Sequence, residues 1–421
     1  MQGRRLNTSY SVSTNRWLVD RYAYVEERAF TMLAGWIWDS PELEHKIELG
    51  RFTYEDALHA DALRRRASEL FPPTVEPPRP TELGPLERLC NEIANTDDRV
   101  ERLVGLFRVL KPMLPAAYRR HLAETDDITD WPTSTLLKRL VTEETEQIAW
   151  GQRVLVAQLT GPPTHDRAQA WEEHLRDAMA AIGGIRDEPV AGNDVQLRNP
   201  SPPERQRYTA PARDSRYRVV PIADFQTPQP DQGPNAIVRL ALYTNCNGEL
   251  EAEEIIGRVI AYAPDLPWGM RLDLARQLWD EARHAELSWR RMDELGGPPV
   301  PAPSVAFLWP LYAGDTVDPL EDLIVLQRAA EGRATEAHRA RVGFIGQEMG
   351  DPTTARLYEY IVADERAHIG YSDWIHRLVG NDTKRVDRLN EIQLRAEAAI
   401  AAYMKRRADA TAAGRSGTTA R

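Results

Sequence analysis

The chain has 421 residues, 42% hydrophobic and 28% charged, the balance of a globular protein with one large core or two ordinary ones. Its 53 Lys and Arg stand against 64 Asp and Glu, a net charge of −11 that argues against nucleic acid or an anionic membrane as partner. Two cysteines, Cys90 and Cys246, are too few for a disulfide framework or a thiolate zinc site. No apolar run reaches membrane-spanning length and the N-terminus lacks a signal-peptide core, so a cytoplasmic location is expected.

In chain order, helical periodicity predicts helices over 14–37, 54–70, 86–94, 100–110, 132–159 and 167–182. Pro-rich breaks at Ser40-Pro41, Phe71-Pro72-Pro73 and Gly161-Pro162-Pro163, and the pair Gly183-Gly184, punctuate them. From 187 to 234 periodicity is lost and Pro, Asp, Arg and Gln dominate, which reads as a linker with at most one short extended piece at 217–220. Long helices follow over 236–263, 267–295, 319–349 and 352–379. The last two begin with Asp318-Pro319 and Asp351-Pro352, an N-cap followed by Pro at the first helical position. A fifth helix over 384–407 precedes a Gly, Ser, Thr and Ala tail, 408–421, expected to be disordered. The expected fold is all-α, with helical domains over 1–186 and 235–407.

Two motifs inside those helices carry chemistry. Asp280-Glu281-Ala282-Arg283-His284 and Asp364-Glu365-Arg366-Ala367-His368 each place a Glu and a His three residues apart, on one helix face. Two such helices, with one Glu from each of two others, make a six-ligand dinuclear iron or manganese site in a bundle core. The helix over 236–263 offers Glu249, Glu251, Glu253 and Glu254, and the helix over 319–349 offers Glu331 and Glu336. Loop geometry does not choose among them.

The two halves also overlay. Glu55-Asp56-Ala57-Leu58-His59 matches the first motif, Glu143-Glu144-Thr145-Glu146-Gln147 the second, and Glu26-Glu27-Arg28-Ala29 matches Glu249-Leu250-Glu251-Ala252. Three matches in one order predict two tandem four-helix bundles. In the first half Glu26, Asp56, His59 and Glu144 survive, but Gln147 replaces a His. Counting 34 residues back from Glu144 reaches Leu110, between Arg108 and Lys111. That half is expected to be a degenerate copy without metal.

These motifs, with Gly248-Glu249-Leu250-Glu251-Ala252, Pro264-Asp265-Leu266-Pro267 and Glu331-Gly332, resemble the ferritin-like superfamily of dinuclear-iron carboxylate proteins, and within it an uncharacterised bacterial branch. The resemblance covers about residues 235 to 380. It implies Glu249, Glu281 and His284 on one metal and Glu331, Glu365 and His368 on the other, with Glu281 and Glu365 as candidate bridges. That branch often carries a His two residues before Glu249, where this chain has Asn247. Carboxylate and imidazole donors suit iron, or manganese, rather than a thiolate metal. Asp280 and Asp364 are placed to accept hydrogen bonds from the ligand histidines across the bundle, as in ribonucleotide reductase small subunits. Tyr371, one turn after His368, is a candidate hydrogen-bond or electron donor, and Cys246 reads as a packing residue.

The resemblance implies a dinuclear-iron oxygenase or oxidase that uses dioxygen to hydroxylate, desaturate or N-oxidise a small organic substrate, with an electron donor or reductase as a possible partner. The expected assembly is a monomer or homodimer. A manganese or iron site that disproportionates peroxide, and a metal-free helical interaction protein, are the competing readings.

Overall fold

The computed structural model describes residues 10–70, 84–186, 196–203, 211–213, 218–220, 235–298, 303–305 and 319–417. Most of the expected linker and the last four residues of the expected tail lie outside them. The chain divides into two compact units, Met1–Met32 with Glu55–Glu204, and Leu33–Tyr54 with Arg205–Arg421.

The first unit draws on α1 (Val12–Trp36), α2 (Leu43–Leu70), α3 (Gly84–Ala94), α4 (Arg99–Val104), α5 (Lys111–Glu124), α6 (Trp131–Gln158) and α7 (Pro162–Ala181). Asp98 caps α4 by accepting from the amides of Val100 and Glu101, and Asp130 caps α6 by accepting from that of Thr133. The sequence stops a helix at Leu110. The structure instead carries it through a π-helical turn, Gly105–Leu110, straight into α5. Pro112 lacks the N–H that would reach the Arg108 carbonyl, and the Arg176 guanidinium donates to that oxygen at 3.1 Å, so the prolines do not break the helix.

The second unit contains β1 (Arg218–Val220), α8 (Ala236–Tyr262), α9 (Trp268–Glu294), β2 (Pro303–Val305), α10 (Pro319–Ile324), α11 (Glu331–Gly343), α12 (Pro352–Val379) and α13 (Thr383–Gly417). The two short strands pair in parallel, Arg218 opposite Pro303 and Val220 opposite Val305. A π-helical turn, Val325–Ala330, joins α10 to α11, and a second, Phe344–Glu348, ends α11. The tail expected to be disordered from 408 continues α13 as far as Gly417. α8 lies along α9, and α11 along α12.

The segment Leu33–Tyr54 belongs with the second unit rather than with the first, as the sequence boundaries had it. The reason is close packing at small residues. A Cβ on Gly257 would lie 2.5 Å from the Ala34 carbonyl oxygen, and one on Gly50 would lie 2.9 Å from Ala282 Cβ. Buried Lys46 adds an ion pair to Glu254 at 2.9 Å. Leu43 and Ile47 then join Val238, Leu242, Cys246, Leu250, Met292, Tyr358 and Ile361 in one apolar core. Cys246 therefore packs, as its position one turn before Glu249 allows.

Candidate metal centre

Four helices deliver six side chains to one buried place. Glu249 comes from α8, Glu281 and His284 from α9, Glu331 from α11, and Glu365 and His368 from α12. None is more than 7% exposed. They form two overlapping groups, Glu249, Glu281, His284 and Glu365, and Glu281, Glu331, Glu365 and His368. Within each group the potential ligand atoms all lie within 4.8 Å of one another, and Glu281 and Glu365 belong to both. Buried Glu and His clusters of this kind can hold metal ions.

The two histidines are oriented alike. His284 Nδ1 stands 3.4 Å from Glu281 and 3.8 Å from Glu365, and His368 Nδ1 stands 3.3 Å from each of the same two carboxylates. Neither Nδ1 has a hydrogen-bond partner among the described residues. The far nitrogens point outward and across: His284 Nε2 lies 3.2 Å from Asp364, and His368 Nε2 lies 3.4 Å from Asp280. Each aspartate is held by arginine, with Arg283 donating to both at 2.6 Å and Arg276 to Asp280 at 2.8 Å. A buried imidazole nitrogen without a partner, backed by a carboxylate on the other nitrogen, suits a metal ligand.

Charge follows from this packing. Burial and the Glu281 charge push Glu249 well above the usual carboxyl range, and burial with Glu365 and Glu281 does the same to Glu331. Burial works against ionisation of Glu281, but His368 and His284 outweigh it and hold that carboxyl well below its usual value. Burial also works against charging His284, yet Asp364 and Glu281 push it up to about 10. The protein without metal thus stores protons on a donor set that divalent cations would replace.

Other residues behave differently. Of the remaining glutamates on α8, Glu254 pairs with Lys46 and with Arg213. Glu253, one turn beyond Glu249, is fully buried with neither carboxylate oxygen hydrogen-bonded among the described residues, and burial pushes it up to about 8. Glu336 is exposed and lines a cavity beside the cluster. The Tyr371 ring lies 6.1 Å from that of His368, with no hydrogen bond to the cluster among the described residues.

Residues that sequence reasoning missed complete the surroundings. Gln277 donates to Glu331 at 2.8 Å and to Glu281 at 3.2 Å, and Gln327 donates to Gln277. His338 Nε2 lies 3.7 Å from Glu249 and donates to Asn245 Oδ1 at 2.7 Å. Their signal was helical spacing: Gln277 stands one turn before Glu281, and His338 two turns after Glu331. A cavity of about 560 Å3 opens on Glu249, Glu281, Glu331 and Glu365.

The first unit holds a matching cluster, Glu26, Asp56, His59 and Glu144, all buried and within the same 4.8 Å limit. A correction applies to its fourth helix. Leu110 is a core residue, and Lys111 enters the cluster, 2.8 Å from Asp56 and 2.9 Å from Glu144. Lys111 directly follows one six-residue π-helical turn as Glu331 directly follows another, so the two are counterparts. The supporting contacts repeat as well. His59 Nε2 meets Glu143 at 2.7 Å as His284 meets Asp364, and Gln147 donates to Glu55 at 3.1 Å where His368 meets Asp280. Arg66 bonds Thr133 and Asp130 at the start of α6 as Arg291 bonds Thr354 and Asp351 at the start of α12.

No curated protein and no solved structure matches the chain. Residues 173–392, more than half of it and the stretch that holds all six side chains of the second cluster, match the profile of a family described as "Protein of unknown function (DUF455)". The chain is a member of that family.

Proposed function

We propose that the second unit is a ferritin-like four-helix bundle holding two iron ions, and that the protein is a dinuclear-iron oxidoreductase of the oxygenase type. The observation that carries this reading is the pair of four-donor groups sharing Glu281 and Glu365, with both histidine Nδ1 atoms buried, facing those carboxylates and without a hydrogen bond among the described residues. Glu249, Glu281 and His284 would hold one ion, and Glu331, Glu365 and His368 the other. Iron so bound supplies redox chemistry with dioxygen, fed by an external electron donor.

The chain's own residues set the conditions. Asp364 and Asp280 fix the ring orientation of His284 and His368, and Gln277 restrains Glu331 and Glu281. Burial of the six side chains leaves the adjoining cavity as the face through which water or a substrate reaches the cluster. The adjoining cavity, within the range that takes small molecules, favours an organic substrate over peroxide disproportionation, which needs no such space. Manganese fits the same donors. The tandem arrangement is part of the proposal, with the first unit a copy that has lost the site.

Elemental analysis together with single-turnover oxygen uptake tests the reading. Iron-loaded, reduced protein should consume dioxygen, and Glu331→Ala protein should not. Metal-free protein that cannot be loaded with either iron or manganese would remove the basis for the proposal.

A further inference from the structure

We infer that the cavity beside Glu249 takes an organic anion, a carboxylate-bearing molecule with an aliphatic body, anchored on Arg341. The inference rests on the reading of this cavity as the substrate site, but the binding it describes does not require the metals to be present.

The comparison of the two units leads to it. Counting from the cluster residues, Asn245 stands four before Glu249 as Tyr22 stands four before Glu26. His338 and Arg341 stand seven and ten after Glu331, as Tyr118 and His121 stand seven and ten after Lys111. In the first unit those three positions are rings packed on one another, with Tyr22 and Tyr118 centroids 5.0 Å apart and Tyr22 and His121 centroids 5.8 Å apart. In the second unit the same positions line the 560 Å3 cavity with an amide, an imidazole and a guanidinium.

Arg341 is held in place. Asn245 Oδ1 accepts from its Nη1 at 2.8 Å and from His338 Nε2 at 2.7 Å, while Asn245 Nδ2 donates to Ser288 Oγ at 3.1 Å. The Tyr358 ring lies under the guanidinium, 5.3 Å from it. Only one nitrogen of Arg341 is hydrogen-bonded among the described residues. A planar donor fork fixed in this way, with free N–H groups at a cavity wall, matches a carboxylate.

The other charged groups on the wall do not reverse the sign. Glu336 opposes Arg333, both of them exposed on α11, and in the metal-free protein His284 or His368 lies within 4 Å of Glu249, Glu281 and Glu365 while Gln277 donates to Glu331. Arg341 is left over. Apart from Thr244 the rest of the wall is apolar, including Leu326, Ala330, Ala334, Ile400 and Met404. Ten residues of helix separate Glu331 from Arg341, about 15 Å along the axis, so a molecule anchored at Arg341 extends toward the cluster.

Calorimetric titration of metal-free protein with octanoate, octanamide and octylamine tests this. Octanoate should bind about tenfold more tightly than octanamide, the low end of what a charge-assisted hydrogen bond contributes, and octylamine least tightly. Arg341→Met should abolish the preference for octanoate over octanamide. Arg341→Lys should keep part of the preference, and Asn245→Ala, which releases the guanidinium, should weaken octanoate selectively. Thermal melts of each variant check folding. Equal affinity for the three probes, no binding of any, tightest binding of octylamine, or a preference that survives Arg341→Met would each overturn the inference. Metal content of the same protein after reloading with Fe(II) keeps the readings apart. Two metals without a carboxylate preference would sink this inference alone, and a carboxylate preference without metal would sink only the dinuclear reading.

Discussion

The two buried clusters are wired alike and differ mainly in the source of their positive charge. In the first unit Glu26, Asp56 and Glu144 surround Lys111, whose ammonium is fully buried among them, and the hydroxyl of Tyr118 donates to Glu26 at 2.7 Å. Burial works against charging Lys111, but Asp56 and Glu144 outweigh it and raise its pKa. In the second unit the counterpart of Lys111 is Glu331, the counterpart of Gln147 is His368, and Arg276 and Arg283 are engaged outside, on Asp280 and Asp364. One cluster holds a lysine among its carboxylates, and the other, in the proposed reading, takes metal cations instead. The lesson is that the side chain at the end of a π-helical turn, with the exchange of Gln147 for His368, sets the charge each cluster needs, because several buried carboxylates cannot stay ionised without compensation.

Exchanging that side chain is the strongest way to break the comparison. Glu331→Lys would import the first unit's solution, and the metal content of the second unit should fall to nothing while the fold survives, as read by elemental analysis and circular dichroism. Retained metal in that variant would show that the lysine is not what separates the clusters. The reverse change is also informative. Lys111→Ala leaves buried carboxylates unpaired and should cost about 3–5 kcal/mol, measured by denaturant unfolding. Lys111→Glu should be partly rescued by added Fe(II) or Mn(II), whereas Lys111→Ala without metal should not.

The outer carboxylates sharpen the comparison at a smaller scale. Asp364→Asn and Asp280→Asn should weaken metal binding by roughly 10- to 100-fold in anaerobic Fe(II) titrations, while Glu143→Gln, the matching change in the first unit, should leave it unaltered. Unchanged affinity in both Asn variants would remove Asp280 and Asp364 from the account. The smallest expected effect lies one turn beyond Glu249, where Glu253 stands at the position that Phe30 fills in the first unit. Burial raises Glu253 from 4.5 to about 8 in the folded chain. The folded state then binds more protons than the unfolded state between those values, so Glu253 makes stability fall as pH rises from about 4.5 to 8. Glu253→Gln should flatten that slope and melt higher than the native protein at pH 8.5. A lower melting temperature there would show that the carboxylate is ionised and compensated in the fold.

Much of this was legible in the sequence, and what was not has physical causes. The Glu-x-x-His pairs, Asp-Pro caps and Gly stops are local signals, and the long helices of the second unit follow them. The identity of Lys111 was missed by one residue because the 34-residue spacing comes from the second half, whose counted stretch includes the π-helical turn Phe344–Glu348 that the first half's stretch lacks. α5 was not expected; Pro112 and Pro115 lie inside it, and the group that satisfies the Arg108 carbonyl comes from Arg176, far along the chain. The assignment of Leu33–Tyr54 to the second unit depends on contacts at Gly50 and Gly257 that no periodicity reports. Asn245, His338 and Arg341 carry no motif, and their shared role emerges only when α8 and α11 face one cavity.

The central claim is that only the second cluster binds metal, and metal stoichiometry of the intact protein tests it most directly. Protein loaded anaerobically with Fe(II) and freed of excess should hold two ions per chain. His59→Ala should leave that number at two, and His284→Ala should lower it. Four ions per chain, or an equal loss from both substitutions, would contradict the account.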